Sequence, residues 1–255
     1  AYGGTVRICH VDEEEALYAF RGSDDLVDFM DRIERVRVQR LEELCDQVSA
    51  AGVDAEIVRL KGYASQQILE YTEKDPVDLV AMSTLGGEGL RSLLMGTTAS
   101  NVIRHSVRPV LAVGARCTPP EPFEVARIIA PVDFSKAAQI GVNTAADLAE
   151  RFGATLVLVH AVKTPSFIPA LGDEALTAPL RRTDHRVRLM EQEVDRISKR
   201  LGEDRVLHEV ASAVDEAEEI CAMAMRRKGD LIVMTRRGAG ILEGILFGRI
   251  VEEVV

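Results

Sequence analysis

The chain has 255 residues, of which 47% are hydrophobic and 28% are charged, and its formal net charge is −10. This length and composition are typical of a soluble globular protein with room for two domains of ordinary size. The negative charge argues against nucleic acid or an anionic membrane surface as the main partner.

The cysteines, the histidines and the hydropathy favour a cytoplasmic protein. Four cysteines show no metal or redox spacing, and three of them lie in segments that we expect to be core, so we predict reduced thiols. No apolar run is long enough to span a bilayer, and no signal peptide is visible. The five histidines form no cluster at metal-ligand spacing, so we expect no metal site built by side chains.

In the first half, strands alternate with helices. A strand ending at His10 is followed by a long charged helix with apolar residues at helical spacing, which stops before Gly52. The elements predicted next are a strand over 55–60, a helix over 64–74, a strand over 78–82, a helix over 97–105 and a strand over 109–113. This alternation predicts a mostly parallel sheet with helices on both faces.

The second half repeats the pattern after a linker that contains three prolines, between Gly114 and Pro122. The elements predicted there are a strand from Arg127, a helix over 136–151, a strand ending at His160, a long helix, a strand over 206–210, a helix over 215–228 and a strand over 230–234. We therefore predict an α/β protein of two doubly wound domains, over residues 1–114 and 125–255, with the linker at 115–124.

The two halves are copies of one unit. His10 lies over His160 at an offset of 150 residues, and a glycine motif recurs at an offset of 152 without a gap. The first half has no counterpart of residues 127–151, which leaves roughly 25 residues to precede Ala1 if the halves share one topology. The second half has no counterpart of 104–113. We expect a natural chain that is longer at both ends, because the halves would otherwise expose unpaired apolar strand edges.

The repeated glycine motif is the candidate functional site. In the first copy, nine residues separate Gly86 from Gly96, and in the second copy nine residues separate Gly238 from Gly248. Glycine lets a backbone approach a phosphate closely, and the helix that begins at Thr97 would direct free N–H groups at an anion. The simpler interpretation is a tight turn followed by a threonine that caps the helix.

Other nucleotide motifs fit less well. Residues 238–244 resemble a dinucleotide-binding loop, but such a loop belongs after the first strand of a domain, and only eleven residues follow Gly244. Neither loop contains the lysine of a Walker A motif. His10 and His160 occupy equivalent strand ends, where each could face a ligand or form a structural hydrogen bond.

Three features together resemble the universal stress protein family in its tandem two-domain form. They are residues 131–135 (Pro-Val-Asp-Phe-Ser), the strand that ends at His160, and the repeated glycine step. The resemblance covers nearly the whole chain and implies Rossmann-like domains. Members that bind ATP carry Gly-x2-Gly-x9-Gly-Ser/Thr, together with an aspartate after the first strand that holds the nucleoside.

Carried over to this chain, the resemblance implies a nucleotide site in the first half. Its residues are Val11 on the adenine side and, around the phosphates, Met82, Ser83, Gly86, Gly96, Thr97, Thr98 and Ala99. In the second half the corresponding residues are Asp133, Gly238, Gly248 and Arg249, with Ala161 on the adenine side. Ser83 and Thr235 replace the first glycine, and Arg249 replaces the Ser/Thr, so we expect a degenerate second site.

The resemblance implies a cytoplasmic stress-response protein that binds an adenine nucleotide as a regulatory ligand. ATP is the leading choice and AMP or ADP the alternative, with any Mg²⁺ held mainly by the phosphates and water. A scaffold that pairs without a ligand is the second hypothesis, and a slow ATPase or an adenylate-forming enzyme is the third. The family also implies that the two halves pair as a pseudo-dimer, and it leaves open whether two chains form a homodimer.

Overall fold

A computed structural model gives the fold. The structure describes residues 3–13, 24–84, 96–114, 117, 124–163, 173–236 and 249–255. The chain divides into two compact units, Ala1–Val113 and Gly114–Val255, called here the first and second units. Among the described helices, none is long and apolar enough to cross a membrane.

The described strands of the first unit form two separate parallel pairs. Strand β1 pairs with β2 so that Cys9 lies opposite Val58, and β3 pairs with β4 so that Val80 lies opposite Val110. The elements, in chain order, are β1 (Thr5–Asp12), α1 (Asp24–Ala50), β2 (Asp54–Lys61), α2 (Ala64–Lys74), β3 (Val80–Ser83), α3 (Thr97–His105) and β4 (Val110–Val113). All of these pairings are parallel, as the alternation of strands and helices predicts.

The second unit contains one four-stranded parallel sheet of order β7-β6-β5-β8. Its elements are β5 (Arg127–Pro131), α4 (Lys136–Phe152), β6 (Thr155–Lys163), α5 (Asp173–Leu201), β7 (Val206–Ala213), α6 (Glu216–Arg226), β8 (Leu231–Ile232) and α7 (Arg249–Val254). A short 3-10 helix, Glu203–Arg205, leads into β7. Strand β5 thus lies between β6 and β8 and joins the two sides of the sheet.

The sheet of the second unit is buried on both faces. Alternate residues of its central strands point to opposite sides. Ile128 and Leu158 pack with α4 and α5 in one cluster, whereas Ile129 and Val159 pack with α6 and α7 in the other. All four side chains are fully buried. This two-layer covering is the doubly wound arrangement, and it presents the carboxyl ends of the strands at one edge.

Local sequence signals fix the ends of helix α4. Ser135 precedes the helix, and its hydroxyl accepts a hydrogen bond from the N–H of Ala138 at 3.0 Å. Gly153 ends the helix at φ 69°, in the left-handed region that glycine enters without strain. The Ser135 cap fixes the start of α4 next to the loop that carries Asp133, at the end of β5.

The predicted α/β class with parallel sheets is confirmed, and the predicted bounds of α2 and α3 match those observed. Strand β8 is shorter than predicted, with two residues. The expectation that three cysteines lie in the core is wrong. Cys9 and Cys117 are exposed, Cys45 and Cys221 are only half-buried, and all four are free thiols.

Candidate functional site

In the first unit, a backbone hydrogen bond brings the two ends of the glycine loop together. The N–H of Gly96 donates to the carbonyl oxygen of Thr84 at 2.8 Å, and the N–H of Thr84 donates to that of Val113 at 3.0 Å. The start of α3 is therefore held at the carboxyl end of β3. The last two residues of that strand are Met82, which is half-buried, and Ser83, which is exposed. Both lie close to Gly96, because Ser83 directly precedes Thr84.

Helix α3 begins without a side-chain cap. Gly96 occupies the N-cap position with φ −60° and ψ 144°, and Thr97 is the first helical residue. The prediction that a threonine caps this helix is therefore wrong, because Thr97 lies one position too late. Gly96 also adopts a conformation open to any residue, so φ does not require a glycine there.

The first turn of α3 offers donors to a ligand. The earliest intrahelical bond runs from the N–H of Ser100 to the carbonyl of Gly96, at 2.9 Å. Among the described residues, none accepts from the N–H groups of Thr97, Thr98 and Ala99, as helix geometry requires for a first turn. Thr97 is exposed, Thr98 is half-buried and Ala99 is buried. This arrangement suits an anion, because the helix dipole and the amides favour negative charge.

A cluster of charged side chains surrounds the carboxyl end of β1, next to the half-buried Val11. Asp12 accepts hydrogen bonds from Arg37 of α1 at 2.5 Å and from Arg59 of β2 at 2.8 Å. Its side chain is 14% exposed. Burial acts to raise the pKa of Asp12, but Arg59 and Arg37 outweigh it and hold that pKa below its ordinary value. The cluster ties α1 and β2 to the strand end where the adenine contact is predicted.

In the second unit, Asp133 shapes the loop between β5 and α4. One of its carboxylate oxygens accepts from the N–H of Ser135 at 2.9 Å. Between them, Phe134 has φ 62°, which is a left-handed conformation rarely adopted by a bulky residue. Such conformations cost about 1–3 kcal/mol and cluster at functional sites. The structure therefore places Asp133 in a constrained loop at the carboxyl edge of the sheet.

Three side chains pack together at this edge. The Nδ1–H of His160 donates to the carbonyl of Val132 at 2.5 Å, and the His160 ring meets the Phe134 ring edge-on, with centroids 4.9 Å apart. The guanidinium of Arg186, on α5, lies 5.4 Å from the centroid of the Phe134 ring. Burial lowers the pKa of His160, and the charge of Arg186 lowers it further. His160 is thus neutral near pH 7 and serves a structural hydrogen bond, one of the two roles considered for it.

Thr235, which stands where the motif expects its first glycine, lies against helix α4. A Cβ added to Gly141 of that helix would meet the Thr235 side-chain methyl at 3.1 Å and the Thr235 backbone nitrogen at 3.4 Å. The methyl of Thr235 therefore occupies space that Gly141 leaves open. The extra bulk of Thr235 is accommodated on the helix side of the loop.

Several predicted residues receive no test from the structure. Gly86, Gly238 and Gly248 lie outside the described residues, and Arg249 is described only as the first residue of α7. In the first unit, Val11 belongs to the β1–β2 sheet and Ser83 to the β3–β4 sheet. Within the described ranges, no group of three His, Cys, Asp or Glu residues could hold a metal ion.

Sequence reasoning did not identify Asp12, Arg37, Arg59 or Arg186 as members of these clusters. A comparison of the halves contains the missing signal. At the offset of 150 that relates the strands ending at His10 and His160, Asp12 lies over the apolar Val162. Charge that differs between copies of a repeat marks a feature specific to one copy.

Comparisons with known proteins agree with the fold. The chain is 39% identical over 62 residues to the universal stress protein MJ0531 of Methanocaldococcus jannaschii, a match that covers 24% of this chain and 36% of that protein. A universal stress protein structure from Archaeoglobus fulgidus covers 98% of this chain and 83% of its own, with 21% identity and a TM-score of 0.66. A second, from Pseudomonas aeruginosa, covers 97% and 88%, with 16% identity and a TM-score of 0.58.

The family profile extends over nearly the whole chain. It matches residues 1–114 and again residues 124–255, so both halves carry the pattern. The structural likenesses, at low sequence identity, support the fold alone. With the profile matching in two copies, the chain belongs to the universal stress protein family.

Proposed function

We propose that the first unit binds an adenine nucleotide, with ATP as the leading candidate, and that the nucleotide acts as a regulatory ligand. The observation that carries this proposal is the uncapped start of α3, held at the end of β3 by the bond from Gly96 to Thr84. The N–H groups of Thr97, Thr98 and Ala99 would receive phosphate oxygens there. The Thr97 hydroxyl would add a further donor.

The same arrangement suggests where the adenine base and any metal ion would bind. Val11 would meet the adenine through its backbone, beside the cluster of Asp12, Arg37 and Arg59 that holds the end of β1. Ser83, with its small side chain, would leave room for the phosphates where the family has glycine. Any Mg²⁺ would be bound mainly by phosphate oxygens and water.

We propose regulation and not turnover. The start of α3 would offer backbone amides and hydroxyls to a phosphate, which suits binding of a nucleotide. Binding would favour one conformation of the unit. Hydrolysis would be slow at most, and the protein would act in the cytoplasm as a stress-response component.

The second unit differs at the residue that begins its last helix. Arg249 stands where Thr97 stands in the first unit. An arginine there removes the small hydroxyl donor and adds bulk beside the glycine. We therefore propose that the second unit does not bind ATP in the manner of the first.

Two measurements test the proposal. Mass spectrometry of small molecules released by denaturing the purified protein should detect an adenine nucleotide. Added ATP should also raise the melting temperature, since a ligand that binds only the folded state stabilises it by about 2.7 kcal/mol at a hundredfold excess over Kd. All four tyrosines precede residue 114 and there is no tryptophan, so tyrosine fluorescence reports on the first unit. No released nucleotide and no thermal shift would overturn the proposal.

A ligand-independent scaffold that acts by pairing is the second candidate. It is favoured by apolar side chains on β4, where Leu111 is 36% and Val113 is 40% exposed. Exposed apolar strands are sites of strand or sheet association. This candidate predicts no thermal response to ATP and a change in association state on Leu111→Lys, which gel filtration with light scattering would detect.

A further inference from the structure

We propose that helix α1 is docked on strands β1 and β2 by a latch that responds to ionic strength, so that rising salt loosens the helix. The latch is a closed ring of four charged side chains, Asp12, Glu34, Arg37 and Arg59. All four belong to the first unit. The switch needs no nucleotide and concerns how firmly a helix is held, so it is independent of the ATP proposal.

The ring is closed because each arginine contacts both carboxylates. Nη1 of Arg37 lies 2.5 Å from Oδ1 of Asp12 and 3.1 Å from Oε2 of Glu34. Nη2 of Arg59 lies 2.8 Å from the other oxygen of Asp12 and 2.6 Å from the other oxygen of Glu34. Glu34 and Arg37 are on α1, whereas the other two residues lie near the ends of β1 and β2. Two of the four contacts therefore bridge the helix and the strands.

Apolar packing holds the latch-bearing half of α1 weakly. Among the α1 side chains that the structure describes, Leu41 is the only buried one, and it lies in the second half of the helix. In the first half, which carries the latch, Met30 and Ile33 are only half-buried. Phe29 and Val36 are 54% and 63% exposed. This half of the helix therefore relies more on the latch than on buried apolar side chains.

Helix α5 of the second unit is the contrasting case. Its side chains Met190, Ile197 and Leu201 are buried in the core cluster on one face of the sheet. Arg200 adds ion pairs with Asp147 and Glu150, but these join α5 to α4 and not to the strands. Because salt does not screen the burial of apolar surface, α5 should stay docked at ionic strengths that loosen α1.

The latch is specific to one copy of the repeat. At the offset of 150 that relates β1 to β6, Asp12 lies over Val162. In the strand register, Arg59 lies opposite the histidine of β1, and Val210 lies opposite the equivalent histidine of β6. Val210 packs against the core of its unit. The first unit thus has charge at two strand positions where the second unit has valine.

The latch is open enough to solvent for salt to act on it. The side chains of Glu34, Arg37 and Arg59 are 40%, 33% and 39% exposed, and that of Asp12 is 14% exposed. The screening length in solution falls from about 10 Å at 0.1 M salt to about 3 Å at 1 M. Partly exposed pairs weaken over this range, whereas fully buried pairs would be screened much less.

Release of α1 would change the surface that the first unit presents. Alternate residues of a strand share one face, so Ile8 and His10 lie on the face of β1 that carries Asp12. Arg37 of α1 meets Asp12 on that face, and α1 packs on β1 and β2 there. Ionic strength would thus control access to this face of the sheet.

The test is hydrogen exchange, measured by mass spectrometry on the intact chain without nucleotide, in NaCl at about 0.1 M and about 1 M. We expect peptides from residues 30–38 of α1 to exchange about threefold to tenfold faster at the higher concentration, as for the weakening of two partly exposed ion pairs. Peptides from residues 187–198 of α5 are the internal control and should not change. Sucrose at matched osmolality should accelerate exchange in neither helix.

The variant Glu34→Gln opens the ring by removing one carboxylate. Its α1 should exchange faster already at the lower salt concentration and should lose most of the response to NaCl. The matched control is Glu43→Gln, because Glu43 pairs with Arg40 within α1 at 3.1 Å and lies outside the latch. This control should keep the salt response of the parent chain.

The double variant Asp12→Val, Arg59→Val copies the second unit at both strand positions, and it guards against a single variant that merely unfolds. We expect its α1 to stay protected, and equally so at both salt concentrations. The inference would be overturned by an α1 that does not respond to NaCl in the parent chain, by an equal response in α5, or by a full salt response in the double variant. ATP binding enters none of these measurements, so their failure would leave the nucleotide proposal untouched.

Discussion

Strands β1 and β6 are equivalent in the repeat, yet their surroundings differ sharply. Leu156 and Leu158 of β6 are fully buried, whereas Val6, the counterpart of Leu156, is 41% exposed. Strand β6 is hydrogen-bonded on both sides, by β5 and β7, but in the described part of the first unit β1 pairs only with β2. The comparison teaches that, in the second unit, β5 and α4 bury β6 by supplying a neighbouring strand and a covering helix.

The largest expected effect comes from shortening equivalent side chains in the two strands. Leu158→Ala should destabilise the second unit by about 2–5 kcal/mol, because it leaves a cavity in a fully buried cluster. Ile8→Ala, at the equivalent position, should cost at most about half as much, since Ile8 is only half-buried. Chemical denaturation measures both losses of stability. Hydrogen exchange in β6 reports on the second unit, and tyrosine fluorescence reports on the first. Equal losses would contradict the comparison.

A glycine next to β5 provides the second test. A Cβ on Gly229 would lie 2.3 Å from the Cγ1 atom of Ile129, which is fully buried, so Gly229→Ala should cost about 1–3 kcal/mol by overpacking. Its counterpart in the first unit is Val77, which already carries a side chain. Val77→Ala is the matched control and should change the stability of the first unit much less. A stable Gly229→Ala protein with unchanged exchange in β5 would contradict this packing.

Acidification should destabilise the two units in different pH ranges, with smaller effects than the substitutions above. Burial lowers the pKa of His160 in the folded second unit, so on acidification the unfolded chain binds a proton at His160 more readily than the folded chain does. The stability that comes from neutral His160 is fully present above the ordinary pKa of 6.5. It is lost as the pH falls below 6.5 and through the lower pKa of the folded state. The pKa of Asp12 is also lowered from its ordinary 3.8, against burial, by Arg59 and Arg37. Its contribution is present above 3.8 and is lost only below that value.

We therefore expect the second unit to weaken as the pH falls below 6.5, while the contribution of Asp12 to the first unit is kept until the pH falls below 3.8. Hydrogen exchange in β6 and tyrosine fluorescence follow the two units separately. His160→Gln should flatten the response of the second unit, and His208→Gln, at an exposed position on β7, should not. If the first unit lost stability in the pH range expected for the second, the environments of Asp12 and His160 would be assigned wrongly.

Much of the fold could be predicted because its signals are local. The bounds predicted for α2 and α3 match those observed, and the neighbouring residues Ser135 and Gly153 cap the two ends of α4. The exposure of Cys9 could not be predicted this way, since it depends on which strands flank β1 and not on the sequence of β1 itself. A strand that is apolar along its length is expected to be buried only when both neighbours are present.

The site could be predicted only in part. The glycine spacing located Gly96 and the start of α3, because a turn and a helix end are encoded by neighbouring residues. Arg186 could not be located, since it lies 26 residues after His160 on a long helix and meets Phe134 only through the tertiary fold. The charged cluster at Asp12 depends likewise on α1 and β2 folding against β1. The expectation of further residues before Ala1 stays a prediction.

The central claim is that ATP binds in the first unit and not in the second. Calorimetric titration of ATP into three proteins tests it most directly: the parent chain, Gly96→Glu, and Gly248→Glu, which makes the same change at the equivalent position of the other copy. The account predicts one ATP per chain, lost with Gly96→Glu because a carboxylate at the start of α3 repels phosphate, and retained with Gly248→Glu. ATP binding that survives Gly96→Glu but disappears with Gly248→Glu would contradict it.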